Sequence, residues 1–341
     1  LQHFEPTTRN NSQKKTNFAA QYGVERQNSS LTMIQYWKCS AGFKQIDAWE
    51  ANCWIKVTKP STEELLELEA TFSAPLDFMQ DIEDVEERPR TESEGGWLMN
   101  MLRIPYRETD EDGEAMYNTL PLGILVRGDI FITICYSPTE MIADFIKWTN
   151  RKNVESRQSY DLILSLFLSS SVWYLKYLKQ MNAQMKEAEE ALEESMDNDE
   201  LHRIMKIEKF LVYFITSLRG NEVVLVRLKR YLRHLSYDED LMDDVEVELQ
   251  QAYATANIYS NILERERSSY SSIISNNLNS IMKRLTVITI ILMIPTGISS
   301  FFGMNLINGM ESWCWGFPLA VLISIVVSIA GYVIFRKQKL F

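Results

Sequence analysis

Residues 285–302 read LTVITIILMIPTGISSFF, and residues 313–335 read WCWGFPLAVLISIVVSIAGYVIF. Neither run holds a charged residue. The first is 18 residues long and the second 23. At about 1.5 Å of rise per residue, each is long enough to cross a hydrocarbon core of about 30 Å as a helix. Ten residues, 303–312, separate them, so the pair reads as a hairpin across a bilayer. Their place near the end of the chain excludes a signal peptide. Lys283 and Arg284 precede the first run, and Arg336, Lys337 and Lys339 follow the second. The intervening loop has no Lys or Arg. The positive-inside rule then puts both flanks in the cytoplasm and the loop outside, with Trp313 and Trp315 at the outer interface.

Working back from the membrane, the chain between Pro138 and Pro295 has no proline and one glycine, Gly220. A stretch so poor in breakers predicts helix. The pattern gives one helix from about 160 to 200, a turn near Asp197–Asp199, and a second helix from about 201 to 235. The polar Ser236–Asp240 marks a junction. Nothing interrupts the segment from Leu241 to Phe302, 62 residues or roughly 90 Å of helix, which suits a stalk carrying the first span. Tyr253, Ala256, Asn257, Ser260, Ser271, Ser272, Ser275, Asn276, Asn277 and Asn279 make much of it small or polar. Such residues serve an apolar core poorly and suit a stalk packed with copies of itself around a hydrated axis.

The front of the chain carries strand signals. Trp54–Val57 alternates, and Trp97–Pro105 and Leu120–Tyr136 are rich in aliphatic and β-branched residues. Arg127-Gly128-Asp129 between two apolar runs predicts a hairpin turn, and Ser61-Thr62-Glu63-Glu64 predicts a helix start. The expected organisation is an α+β membrane protein. Residues 1–32 form a disordered or non-native extension, and 33–156 a cytoplasmic α/β domain. A cytoplasmic helical region follows at 157–240, then a stalk running into the first transmembrane helix at 241–302, with its membrane part from about 283. An outer loop at 303–312, a second transmembrane helix at 313–335 and a basic cytoplasmic tail at 336–341 complete it. The expected location is a cell (inner or plasma) membrane, multi-pass.

The 341 residues carry a net charge of −11 and no basic block, a poor footprint for nucleic acid. Cys39, Cys53, Cys135 and Cys314 form no CxxC pair, and His3, His202 and His234 are far apart. A disulfide scaffold, a thiolate zinc cluster and a His-based catalytic metal site are therefore excluded. GNEVVLVRLKR after Gly220 lacks the Gly-Lys-Ser/Thr ending of a Walker A loop, so no nucleotide is expected. No nucleophile–base pair or His cluster points to an enzyme, and no cofactor is expected.

The first span ends in Phe302-Gly303-Met304-Asn305. Gly-Met-Asn at that place, two C-terminal spans, a short outer loop, a basic tail and SNNLNSIMKRLTVITIILMIP upstream together resemble the CorA family of divalent-cation channels. The resemblance covers about residues 33–341. It implies a funnel-shaped homopentamer in which five first spans line one pore and the second spans face lipid. It implies Mg²⁺ as substrate, with Co²⁺ or Ni²⁺ as further cargo. Asn305 and the carbonyl of Gly303 would contact the ion's waters. That fits an ion which dehydrates reluctantly. Met304, a soft thioether, is expected to brace the loop. Pore positions carried over from the family are Asn279, Met282, Leu285, Thr289, Met293 and Thr296. Leu285 and Met293 would be apolar constrictions that gate by dewetting. Asn279 and Thr296 would be polar rings.

The resemblance also implies a regulatory Mg²⁺ site between subunits, with one carboxylate from the α/β domain and one from the start of the stalk. Asp81, in QDIEDVEERPR, and Asp244, in LMDDV, take those positions, although Gln80 replaces an acid there. Other departures are Phe302 where relatives have Tyr, Pro295 one residue later than common, and a loop with the single acid Glu311. The eight acids of 187–200 read as a solvated helix tip. Two alternatives remain at this stage. One is a ZntB-like zinc or proton-coupled carrier, since that branch shares the motif. The other is a membrane-anchored sensor or enzyme using the α/β domain. The expected partners are copies of the chain, lipid and divalent cations.

Overall fold

The computed structural model describes residues 34–110, 113–152, 159–195, 198–302 and 315–337. The expectation about residues 1–32 lies outside them. The chain falls into two compact units: one of residues up to 87, 92–101 and 121–159, the other of 88–91, 102–120 and 160 onward.

In the first unit the strands are β1 (Ile34–Cys39), β2 (Phe43–Ile46), β3 (Trp54–Thr58), β4 (Arg90–Glu94), β5 (Trp97–Thr109), β6 (Ala115–Arg127) and β7 (Ile130–Cys135). They form one sheet in the order β2-β1-β3-β7-β6-β5-β4. The far ends of β5 and β6 belong to the second unit. β6 and β7 pair antiparallel, with Arg127 opposite Ile130, so Gly128-Asp129 is a two-residue hairpin loop. Gly128 holds φ +57° there, the left-handed value such a turn needs. β3 and β7 pair in parallel, Ile55 beside Ile132 and Val57 beside Ile134.

One sheet face buries Ile55, Val57, Met99, Leu125, Ile132 and Ile134 under helices α1 (Thr62–Phe72) and α2 (Leu76–Asp81). α1 starts where the sequence says it should. Ser61 caps the Glu64 N–H and the Glu64 carboxylate returns to the Ser61 N–H, a reciprocal capping box. α3 (Glu140–Lys152) follows β7, and its Phe145 ring meets Trp54 edge-on and Phe43 at a tilt. The Trp54 indole donates to the Thr133 hydroxyl at 2.8 Å.

The second unit is built on α4 (Ser159–Ser195), α5 (Asn198–Leu232) and α6 (Glu239–Phe302), with α7 (Gly316–Lys337) following. α6 has 64 residues, about 96 Å, and starts two residues before Leu241. The Asp238 carboxylate accepts from the Leu241 N–H at 3.0 Å and supplies the N-terminal cap. Burial in α5 recurs at Ile204, Leu211, Leu218, Leu225 and Leu232. In α6 it recurs at Met242, Leu249, Ala256, Leu263 and Tyr270. This strict seven-residue repeat is the signature of helices winding on one another. The ion pairs Lys229–Glu246 (2.7 Å) and Glu208–Arg267 (3.2 Å) fix the register. Moving 21 residues back along α5 matches moving 21 forward along α6 (229 − 208; 267 − 246), so the pair is antiparallel. Ala256 is thus a packing residue of the repeat rather than part of a hydrated axis. The exposed polar residues of that stretch begin lower, at Ser272, Ser275, Asn276 and Asn279.

A polar cluster locks the ends of β5 and β6 to the helices of this unit. Buried Asn221 accepts from the Arg103 N–H at 2.8 Å and donates to the Arg103 carbonyl at 2.7 Å. It stands in for a neighbouring strand. Tyr174 donates to the same carbonyl at 2.9 Å, and the Arg103 guanidinium donates to the Thr119 carbonyl at 2.7 Å. Burial pushes the Tyr174 phenol well above its ordinary pKa, so it remains a donor. Replacing Asn221 by Ala takes one acceptor from the Arg103 N–H, while the Arg103 carbonyl keeps the Tyr174 hydroxyl. An unsatisfied buried group costs about 1–3 kcal/mol, so Asn221→Ala is expected to destabilise the protein by about 1–3 kcal/mol, seen as a lowered thermal midpoint in detergent.

Candidate functional site: the membrane face of α6

Two stretches, Ser275–Phe301 in α6 and Gly316–Phe335 in α7, are long and apolar enough to cross a membrane. The two helices contact each other. Within α6 the positions turned toward α7 are Val287, Ile291, Ile294, Pro295 and Ile298. Val287 is 3% exposed and the others are half-buried. Gly331 of α7 faces Ile294, where a Cβ would make ordinary contact with Ile294 Cδ1 at 3.5 Å.

Asn279, Met282, Leu285, Thr289, Met293 and Thr296 are all exposed, Leu285 at 55% and Met293 at 64%. At 100° per residue they fall within an arc of about 120° on the side of α6 away from the covered face. The spacing implied by the family resemblance thus coincides with one continuous uncovered stripe. Large apolar residues open to the surroundings, interleaved with amide and hydroxyl groups, belong against further helices or a wet conduit.

The stripe's hydroxyls have a fixed orientation. Thr289 donates to the Leu285 carbonyl at 2.8 Å, and Thr296 to the Leu292 carbonyl at 3.1 Å. With each proton committed to its own helix, both oxygens offer lone pairs outward, as acceptors for the protons of a hydrated cation's waters. Pro295 lies inside the helix and supplies no N–H, leaving the Ile291 carbonyl without its usual partner. α7 has the reverse of a soluble helix pattern. Ser324 is 8% exposed and donates to the Ala320 carbonyl at 2.9 Å, while Leu322, Ile325, Val326, Ile329 and Val333 are open. Apolar residues outward and small polar ones inward suit contact with lipid.

Gly303, Met304 and Asn305 lie outside the described residues, as do Glu311, Trp313, Cys314 and Lys339. α6 is described to Phe302, the residue before the motif.

Asp81 and Asp244 sit in different units. Asp81 ends α2, is exposed, and its carbonyl accepts from the Asp84 N–H at 3.1 Å. Asp244 is exposed near the start of α6 between buried Met242 and Val245. Among the described residues it makes no ion pair. Its neighbours are less free: the hydrogen bond from Lys229 to Glu246 holds that lysine above its ordinary pKa, with the charges of Glu246 and Asp243 adding to the effect. Among the described residues no three His, Cys, Asp or Glu side chains converge on a metal-sized gap. Sequence reasoning missed the covered face of α6; the signal was there in Val287, Ile291, Ile294 and Ile298, spaced four, three and four.

A cobalt/magnesium transport protein CorA of Methanocaldococcus jannaschii is 26% identical over 84% of this chain and 90% of its own length. The complete structure of the CorA magnesium transporter from the same organism matches with a TM-score of 0.75 at 24% identity, covering 91% of this chain and 99% of that one. The cytoplasmic domain of ZntB from Vibrio parahaemolyticus matches less well, at a TM-score of 0.58 and 14% identity over 73% of this chain and 99% of that one. The family model described as CorA-like Mg2+ transporter protein matches residues 49–337. That span holds strands β3 to β7 of the sheet, the antiparallel helices, the stripe on α6 and the second span, and the chain belongs to this family.

Proposed function

We propose that the chain is one subunit of a homopentameric channel that carries hydrated Mg²⁺, with Co²⁺ and Ni²⁺ as further cargo, into the cytoplasm. The observation that carries this reading is the stripe Asn279–Thr296 on α6, uncovered in the single chain and aimed away from α7. Five such stripes around an axis enclose a conduit lined by neutral oxygens and apolar rings. Asn305 and the Gly303 carbonyl form its outer rim and Met304 braces it. Leu285 and Met293 close it by dewetting. Both chain flanks are cytoplasmic and the 303–312 loop is outside, as the basic residues dictate. No reaction is catalysed; the membrane potential supplies about 4.6 kcal/mol for a divalent ion at 100 mV.

Asp81 of one subunit and Asp244 of the next hold a regulatory Mg²⁺. Two carboxylates about 5 Å apart repel by roughly 3 kcal/mol at an effective dielectric of about 20, and a dication between them reverses the sign. High internal Mg²⁺ therefore closes the ring and low Mg²⁺ loosens it. The test is uptake by purified protein in liposomes without nucleotide. An inside-negative potential should drive Mg²⁺ in. Uptake of Zn²⁺ that follows a pH gradient instead would replace this reading with the ZntB-like one.

A further inference from the structure

The acidic segment that starts at the last residue of α2 holds Asp81, Glu83, Asp84, Glu86 and Glu87, five carboxylates in seven residues. Like charges so close drive a flexible segment to splay. The structure shows what holds it. Ile82, next to Asp81, is fully buried. Its side chain occupies the place where a β6 residue would project: a Cβ on Gly123 would lie 2.1 Å from Ile82 Cδ1 and 2.8 Å from Cγ1. Gly123 is paired with Ile134 in mid-strand and has no positive φ. Its lack of a side chain therefore serves close approach and not a turn. At the other end, within the second unit, Pro89 seats on α5 at Gly220, where a Cβ would lie 2.6 Å from Pro89 Cγ.

Between these seats the backbone is tied by short turns. Glu83 N–H donates to the Gln80 carbonyl (3.0 Å), Asp84 N–H to the Asp81 carbonyl (3.1 Å) and Glu87 N–H to the Asp84 carbonyl (2.9 Å). The Asp84 carboxylate also accepts from the Glu86 N–H at 2.9 Å. Burial and then the charge of Glu83 push the Tyr136 phenol up to about 12.

We propose that Gly123 and Gly220 are positioning residues for cation sensing: they receive Ile82 and Pro89 and so fix the acidic segment at both ends, with Asp81 at the first. The inference rests on the Asp81–Asp244 reading above. The test measures, in liposomes loaded with graded internal Mg²⁺, the concentration that halves uptake by the assembled full-length protein. Gly123→Ala should raise that concentration about tenfold, the scale of a displaced ligand. Adding Ile82→Ala, which removes both the clashing Cδ1 and Cγ1, should restore it. Gly220→Ala with and without Pro89→Ala repeats the comparison at the second seat and carries the test if Gly123→Ala fails to assemble. Asp81→Ala is measured alongside. An assembled glycine variant with unchanged closure, or a shift that the paired substitution does not reverse, overturns the positioning role while Asp81→Ala still shifts closure. If Asp81→Ala leaves closure unchanged, the sensing reading itself falls, and the positioning role with it.

Discussion

Asn305→Ala should cut Mg²⁺ uptake by about 10- to 100-fold without lowering the amount of assembled protein. In the proposed pentamer the substitution would act five times, removing a ring of amide oxygens from the proposed rim. Each neutral hydrogen bond is worth about 0.5–1.5 kcal/mol net, so the loss of two per ion at the barrier already spans that range at 1.4 kcal/mol per tenfold. The ion keeps its water coat because dehydrating Mg²⁺ is costly, so the rim must hold water protons, a task alanine cannot perform. Asn305→Gln keeps the amide on a longer arm and should recover part of the flux. Uptake from external Mg²⁺ at fixed potential reads all three. Equal flux in the alanine variant would remove Asn305 from the permeation path.

Asp81→Ala together with Asp244→Ala should produce a channel that no longer closes as internal Mg²⁺ rises. In the proposed sensor, alanine at both positions would remove the repulsion that opens the ring and the ligands that close it. The expected change is a flattened curve, with the half-closing concentration raised by more than about tenfold. The single substitutions should already account for most of the shift, because one carboxylate alone gives a hard divalent ion few ligands. Asp244 is the cleaner of the two to vary, since it is exposed and makes no ion pair among the described residues. A pair of variants that closes at the same internal Mg²⁺ as the parent would place the sensor elsewhere.

What the sequence made legible was the physics that acts locally or through length. Two uncharged runs announced the long apolar helices, and Ser61 with Glu64 announced a capped helix that the structure reproduces bond for bond. Gly128 between apolar runs announced the hairpin. The strand ends were harder. Pro105 and Pro121 read as punctuation, yet β5 continues to Thr109 and β6 begins at Ala115, because pairing along the sheet outweighs the loss of one donor per proline. The start of α6 was set by a cap at Asp238 rather than by the first apolar residue. The roles of Gly123, Gly220 and Asn221 had no local signal at all. Each is defined by a partner more than 40 residues away in sequence (123 − 82; 220 − 89; 221 − 103), which spacing and composition cannot show. The stripe on α6 lies between these cases: its periodicity is written in the chain, while its being uncovered is a property of the packed helices.

The central claim is that this stripe lines a water-filled conduit, and thiol accessibility tests it most directly. In a Cys314→Ser background, Thr289→Cys or Met293→Cys is exposed to a small, charged, membrane-impermeant thiol reagent during Mg²⁺ uptake, beside Leu322→Cys on the lipid side of α7. The account predicts that both α6 cysteines react and that flux falls to a small fraction of its starting value, while Leu322→Cys is untouched. Unreacted α6 cysteines in a conducting protein, or reaction without any loss of flux, would contradict it.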